Sequence, residues 1–181
     1  KKGSTAWVTN KILEGAKGRN AETQSWYFSD LDIKPCQGCF GCKKDDQGCI
    51  INDDMQKLYS EIEHADALVI SSPVYMGQMS AQAKIFTDRL FARFSPRFSP
   101  YFKEENGAKK KLILVFTQGN PDSGKFQLYF DYTKSMFQLL EFDVKEVIVV
   151  AGMRNESAHE RKNLHTAMEN VGSLLVSEHN G

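Results

Sequence analysis

Residues Ala67 to Ser72 read ALVISS, and residues Lys111 to Thr117 read KLILVFT. Both are continuous apolar runs of strand length, without the alternation of a half-exposed strand. A strand reads this way when both its faces are buried, the condition of a parallel sheet covered by helices on two sides. Outward from these runs, helical spacing takes over. Met55, Leu58, Tyr59 and Ile62 mark a helix face after Asn52-Asp53-Asp54, an N-cap cluster. A helix starting at Ser80 carries Ala81, Ile85, Phe86 and Leu90 inward, and Gly124 to Glu141 carries Phe130, Phe137 and Leu140. Val144 to Ala151 (VKEVIVVA) reads as a strand, and Ser157 to Ser177 as a last helix with Leu164, Met168, Val171 and Leu175 in register. Upstream, Thr5 to Lys17 is a helix carrying Trp7, Val8, Ile12, Leu13 and Ala16 and stopping at Gly18, and Thr23 to Phe28 (TQSWYF) is a short strand. The order α-β-α-β-α-β-α-β-α predicts an α/β fold with a doubly wound parallel sheet.

In the common doubly wound order 2-1-3-4-5 the first strand is central. Here a helix comes first, preceded by Lys1-Lys2-Gly3-Ser4. We therefore expect five strands, with the first one supplied by a segment upstream of this sequence. A four-stranded sheet is the alternative.

Composition narrows the function. The 181 residues are 41% hydrophobic and 25% charged, which fits one domain, 1–181, with a real core. Lysine plus arginine equals aspartate plus glutamate at 23 each, so no charge bias recommends nucleic acid or an anionic membrane as a partner. The run Lys109-Lys110-Lys111 reads as a solvated turn. No apolar stretch reaches the length of a membrane span and no signal-peptide pattern is present, so a cytoplasmic location is expected. The histidines read as surface groups.

All four cysteines fall in one window: Cys36, Cys39, Cys42 and Cys49, spaced C-x2-C-x2-C-x6-C. Soft thiolates clustered on one loop suit a metal or an iron–sulfur cluster. Zinc sites space two cysteine pairs further apart, and no histidine completes a Cys3His set. The readings therefore rank as a 4Fe–4S cluster, then a metal-free thiol loop, then zinc. Gly38, Gly41 and Gly48 permit the tight backbone that each needs.

The segment Ser72-Pro73-Val74-Tyr75-Met76-Gly77-Gln78-Met79-Ser80-Ala81, followed by Lys84 and Asp88-Arg89, is similar to the signature of flavodoxin-like NAD(P)H-dependent FMN reductases. With the cysteine window upstream, the chain most resembles their iron–sulfur flavoprotein branch. The resemblance implies a flavodoxin-like fold, bound FMN and a homodimer or homotetramer. Ligands of open α/β sheets sit beyond the carboxyl ends of the strands. Both Ser72 to Gly77 and Thr117-Gln118-Gly119-Asn120 leave such ends. Pro73, Val74, Tyr75 and Met76 would wall the isoalloxazine, while Gly77 and Gly119 admit close backbone. Gly3, Ser4 and Thr5 match the end of the family's phosphate loop, with Ala6 where relatives often have threonine. Asp88 and Arg89 read as structural, pairing on the helix surface. Arg93-Phe94-Ser95-Pro96 repeats as Arg97-Phe98-Ser99-Pro100, an aromatic loop that either caps the flavin, forms a subunit contact or packs on its own domain.

The function expected on this reading is hydride transfer from NAD(P)H to FMN and onward delivery of electrons to an acceptor the sequence does not identify. The cofactor carries the chemistry, so no catalytic side chain is assigned. Three competing readings remain: a non-enzymatic flavodoxin-type carrier, a zinc or thiol redox sensor, and a quinone or nitroaromatic reductase with a metal-free cysteine loop.

Overall fold

The computed structural model describes residues 3–44, 48–94 and 109–176. Helices α1 (Ser4–Lys17), α2 (Met55–His64), α3 (Ala81–Arg89), α4 (Gln127–Leu139) and α5 (Lys162–Ser173) alternate with strands β1 (Ala67–Tyr75), β2 (Gln78–Met79), β3 (Lys110–Thr117) and β4 (Phe142–Val150). The sheet order is β2-β1-β3-β4. β1, β3 and β4 run parallel, and β2 is a short antiparallel strand folded back on β1. Helix α5 begins after a 3-10 turn at Ala158–Glu160, so the single helix expected from Ser157 is broken at Arg161. The expected end at Ser177 lies outside the described residues.

The central strand shows why the apolar runs are continuous. Leu112, Leu114 and Phe116 of β3 enter one core with Met55, Leu58, Phe86, Phe130 and Phe137 from α2, α3 and α4. Ile113 and Val115 enter a second core on the other face, with Val8 and Ile12 of α1 and Met168 near the end of the chain. Successive side chains of a strand point to opposite faces, so two covered faces leave no polar positions.

Three expectations need correction. Lys110 is not in a solvated turn: it is the first residue of β3 and buried, and its ammonium donates to the carbonyls of Glu63 and Ala65 at 2.9 and 2.8 Å. On α3 it is Ala83, Phe86 and Arg89 that are buried, whereas Ala81 is exposed. Thr23 to Phe28 is not a strand: residues 21–27 have no regular structure, and a 3-10 turn follows at Phe28–Asp30. A strand exists only through its ladder, and among the described residues this segment has none.

The reason is visible across the sheet. Apart from β2 at its far end, β1 has no ladder partner on the side away from β3 among the described residues. A groove of about 1440 Å³ runs along that edge. Ala67–Ile70 form one wall and Gly18–Trp26 the other. Thr9 and Leu13 of α1 and Leu58, Ile62 and Phe86 of the opposite layer line its two faces.

Candidate active site

The loops after β1, β3 and β4 leave the same carboxyl edge of the sheet and enclose a cleft of about 420 Å³. Its lining is Val74, Met76, Gly77, Gln118, Gly119, Asn120, Pro121, Phe126, Arg154 and Asn155. Six of these were expected from sequence: Val74, Met76, Gly77, Gln118, Gly119 and Asn120.

The turn after β1 is a two-residue hairpin. Tyr75 pairs with Gln78, and both intervening residues have positive φ, Met76 at 51° and Gly77 at 81°. Such a loop matches the right-handed twist of its strands but is strained for a residue other than glycine. Met76 takes that strain while wholly exposed at the lip of the cleft, and Tyr75 beside it is 63% exposed. Ser72 plays a different part from the one expected. It is buried, donates to the Pro73 carbonyl at 2.8 Å and accepts the Ser80 N–H at 2.8 Å, so its hydroxyl closes the turn into α3. Neither Ser72, Pro73 nor Tyr75 lines the cleft.

The β3 loop is locked to the β4 loop. The N–H of Gly152 donates to Asn120 O, and that of Met153 to Gln118 O, at 2.8 and 3.0 Å. Within this frame the Gln118 amide is buried and its orientation is fixed. Its Nε2 donates to the carbonyls of Asn120 and Asp122, at 3.3 and 2.6 Å, which only an amide nitrogen can do. Oε1 is buried and has no partner among the described residues. The amide thus braces the loop from Asn120 to Asp122 behind the cleft. Gly119 faces the stem of Arg154, where a Cβ would come within 2.8 Å of Cγ and Nε.

Thr117 does not line the cleft. Its hydroxyl is 2.5 Å from that of Thr5, joining the end of β3 to the first turn of α1. Ser4 Oγ accepts the Ala158 N–H at 3.2 Å, joining α1 to the segment after β4. Gly3 precedes the helix, and among the described residues no side chain caps it. Its first-turn amides are therefore available to an anion, which the helix dipole also favours. Gly3, Ser4 and Thr5 thus sit at the same sheet edge as the cleft without lining it.

Arg154, Asn155, Pro121 and Phe126 were not anticipated. The rule that ligands bind at the carboxyl ends of the strands applies to β4 as well as to β1 and β3, and the glycine turn after β4 (Ala151-Gly152) was the available signal.

The four cysteines occupy the loop between residues 34 and 53. Cys36 and Cys39 are exposed, and Cys42 and Cys49 are half-buried. Gly41–Lys43 forms a 3-10 turn after Phe40, which has φ 53°. Gln56 Nε2 donates to the carbonyls of Cys49 and Ile51, both at 2.7 Å. Burial pushes the Cys42 thiol up; Lys43 opposes this, and Cys49 and Cys36 push it further, so the three thiols sense one another. Among the described residues no three cysteine sulfurs lie within 4.8 Å of one another. Tetrahedral zinc, with bonds of about 2.3 Å, brings its sulfurs within about 3.8 Å of one another. A cubane cluster spreads its thiolates further, and four cysteines on one loop are the donor set it takes.

Arg89 corrects another expectation. Asp88 does pair at the surface, with Lys84 at 2.5 Å, but Arg89 turns inward. Its side chain and that of Asp53 are wholly buried and form a fork, Nη1 to Oδ2 at 2.6 Å and Nη2 to Oδ1 at 3.1 Å. Burial alone would raise the Asp53 carboxyl. The Arg89 fork and the N–H groups of Lys34 and Met55 outweigh it and hold the group below its ordinary range. The Arg93-Phe94 repeat is described only to Phe94; the rest lies outside the described residues.

Comparison with known proteins places this architecture. The profile of the family described as NADPH-dependent FMN reductase matches residues 1–152. An iron-sulfur flavoprotein of Methanosarcina thermophila is 40% identical over 82 residues, 45% of this chain and 42% of that protein. One from Archaeoglobus fulgidus is 34% identical over 88 residues, 49% of this chain and 43% of that protein. The chain thus spans less than half the length of these relatives. Among solved structures, an NAD(P)H:quinone oxidoreductase from Methanothermobacter marburgensis superposes with a TM-score of 0.70 at 16% identity, covering 99% of this chain and 94% of that one. An FMN-dependent NADH-azoreductase from Bacillus anthracis, solved with FMN, superposes at 0.68 and 15% identity, covering 96% and 91%. These two show a shared flavodoxin-like α/β fold. The profile match, over most of the sequence, decides the family: the chain belongs to the NADPH-dependent FMN reductases, and over about half its length it is similar to iron–sulfur flavoproteins.

Proposed function

We propose that this protein is an FMN-dependent oxidoreductase that takes hydride from NAD(P)H and passes electrons to an acceptor. The observation that carries this reading is the cleft at the sheet's carboxyl edge, enclosed by the loops after β1, β3 and β4. The polar rim of an isoalloxazine would meet the loop Gln118-Gly119-Asn120 there. Val74, Met76 and Phe126 give the ring apolar surface. Gly3, Ser4 and Thr5, at the uncapped start of α1, would hold the phosphate, with Thr117 fixing Thr5 in place. Arg154 adds a positive charge with no hydrogen bond or ion pair among the described residues. With FMN in place, the chemistry available is hydride acceptance and release of electrons singly or in pairs. The chain's own work is to bind, orient and shield, and it needs no side-chain acid or base.

Cys36, Cys39, Cys42 and Cys49 would be the ligands of a 4Fe–4S cluster, which supplies one-electron chemistry. We also read 1–181 as one domain whose sheet takes five strands in the order 2-1-3-4-5. The added strand would lie in the groove beside β1 and give residues 23–28 the ladder they lack. Homo-oligomer formation is supported by α4, which buries Phe130 and Phe137 but turns Leu128, Tyr132 and Leu139 outward, 88%, 64% and 55% exposed. No helix among the described residues is long and apolar enough to cross a membrane. Four free thiols on one loop suit the reducing cytoplasm.

The test is anaerobic purification of the full-length protein, with its visible spectrum, iron and sulfide content, and NAD(P)H oxidation measured on one sample. Flavin bands, about four irons per chain and nicotinamide oxidation are expected. A colourless protein that takes up no added FMN overturns the flavin reading. Flavin without iron after reconstitution removes the cluster.

A further inference from the structure

We propose that Arg89 is the positioning residue of the cysteine loop, clamping its two ends so that Cys49 is delivered to the other three thiols. This rests on the reading of the four cysteines as cluster ligands. Cys36, Cys39 and Cys42 lie within seven consecutive residues, so local backbone gathers them. Cys49 stands seven residues beyond and has to be brought back, at an entropic cost, unless the loop's stems are already joined.

The stems are joined through one buried guanidinium. Arg89 Nη1 donates to the Lys34 carbonyl, on the entering stem, at 2.8 Å. The same group forks onto the Asp53 carboxylate, on the leaving stem, at 2.6 and 3.1 Å. Asp53 in turn accepts the Lys34 N–H at 2.9 Å and the Met55 N–H at 3.0 Å, tying the entering stem to the start of α2. A second rung, from the Asp32 N–H to Asp54 Oδ2 at 2.7 Å, lies just outside it. Tyr59 reaches over from α2 to donate to the Arg89 carbonyl at 2.6 Å, and it also interacts with the Cys49 thiol. Arg89 Nε is buried with no partner among the described residues, in a guanidinium that interacts electrostatically with Cys49.

A planar five-donor fork is what this geometry requires. Lysine carries one nitrogen and cannot hold the Lys34 carbonyl and both Asp53 oxygens in one plane. The clamp therefore predicts that charge alone does not rescue it.

The experiment compares wild type with Arg89→Lys, Arg89→Met and Asp53→Asn in the full chain. Four readouts are taken: FMN affinity, amide exchange by peptide, alkylation rate of each thiol in the metal-free protein, and iron and sulfide uptake with the visible spectrum after anaerobic reconstitution. We expect FMN affinity within about threefold of wild type, and faster exchange confined to residues 32–54. Cys42 and Cys49 should alkylate at least about tenfold faster, and retained iron should fall by at least about half in all three variants. Wild-type alkylation and exchange in residues 32–54, in a variant that still binds FMN, overturns the proposal. So does exchange raised evenly across the chain, the mark of a merely stabilising pair. If Arg89→Met binds no FMN because it does not fold, Arg89→Lys and Asp53→Asn decide by the same criteria. If wild type itself takes up no iron, the cluster reading fails on its own, and the clamp is judged on exchange and alkylation.

Discussion

Replacing Gly172 by alanine tests how α1 is held. Helices α1 and α5 cross with backbone against backbone. A Cβ on Gly172 would lie 1.9 Å from the Ile12 carbonyl oxygen and 2.9 Å from the Ala16 nitrogen. The contact is reciprocal, since a Cβ on Gly15 would lie 1.9 Å from the Glu169 carbonyl oxygen. Real Cβ atoms do not approach closer than 3.0 Å, so the helices must part by more than 1 Å. Neither obstacle is a side chain that can swing aside. Parting them loosens Val8, Ile12 and Ala16, all buried, from Met168 and Leu175. Overpacking of this kind costs about 3 kcal/mol, which is a fall in melting temperature of roughly 6–12 °C for a chain of this size. The same shift drags the Thr5–Thr117 and Ser4–Ala158 contacts, so FMN should bind about tenfold more weakly, equivalent to about 1.4 kcal/mol. Gly18→Ala is the control: φ is −60°, and the new Cβ meets only its own helix, at 3.4 Å. It should leave stability unchanged or raise it by about 0.4–1 kcal/mol. Thermal unfolding followed by circular dichroism, with FMN titrated by fluorescence, reads both effects. A Gly172→Ala protein melting within about 1 °C of wild type would refute the reasoning.

Three further outcomes follow from the same contacts. Thr5→Val deletes the hydroxyl partner of Thr117 while keeping its shape, and should weaken FMN binding about fivefold to tenfold in a fluorescence titration, the worth of one hydrogen bond. Arg154→Ala removes an exposed cation from the cleft, and should weaken FMN binding several-fold in the same titration with no change in melting temperature. Asp53 has a folded-state pKa below the ordinary value of 3.8, so its contribution to stability is complete above that value and is lost as pH falls below it. The urea midpoint of wild type should therefore drop in that acid range, and that part of the drop should be missing in Asp53→Asn.

Much of the fold was legible because burial on two faces leaves a mark on consecutive residues. β1 and β3 read directly from ALVISS and KLILVFT, and Ser80 was correctly seen as a helix start, its hydroxyl accepting the Ala83 N–H. What failed was whatever depends on a distant partner. TQSWYF has the composition of a strand, yet composition supplies no ladder. Arg89 looked like a surface charge because its partner, Asp53, is 36 residues away. Lys110 sat in a basic run whose middle member finds two carbonyls at the end of α2. In the cleft, the wall residues were read from the loops after two strands. Arg154 lies on the third loop, which its sequence marks only by Gly152, and a hydroxyl near a site looks alike in sequence whether it faces ligand or, as in Ser72, closes a turn.

The two candidate centres are not independent features of the chain, because α3 is built into both. Its first residues are fixed to the loop after β1 through Ser72 and Ser80, and Met79 just before it donates to the Tyr129 hydroxyl at 3.2 Å. Its last residue, Arg89, is fixed to both stems of the cysteine loop. Between them lie nine helical residues, about 13 Å of rigid rise. Phe86 is packed in the core halfway along, so the helix cannot slide without opening the layer beneath β1 and β3. A buried ion pair is a weak source of net stability, since desolvation offsets much of its attraction. Its position at the end of this strut suggests what it supplies instead. By fixing the cysteine stems to the helix that leaves the β1 turn, Arg89 and Asp53 would set, within one chain, the separation of a flavin in the cleft from a cluster on the loop.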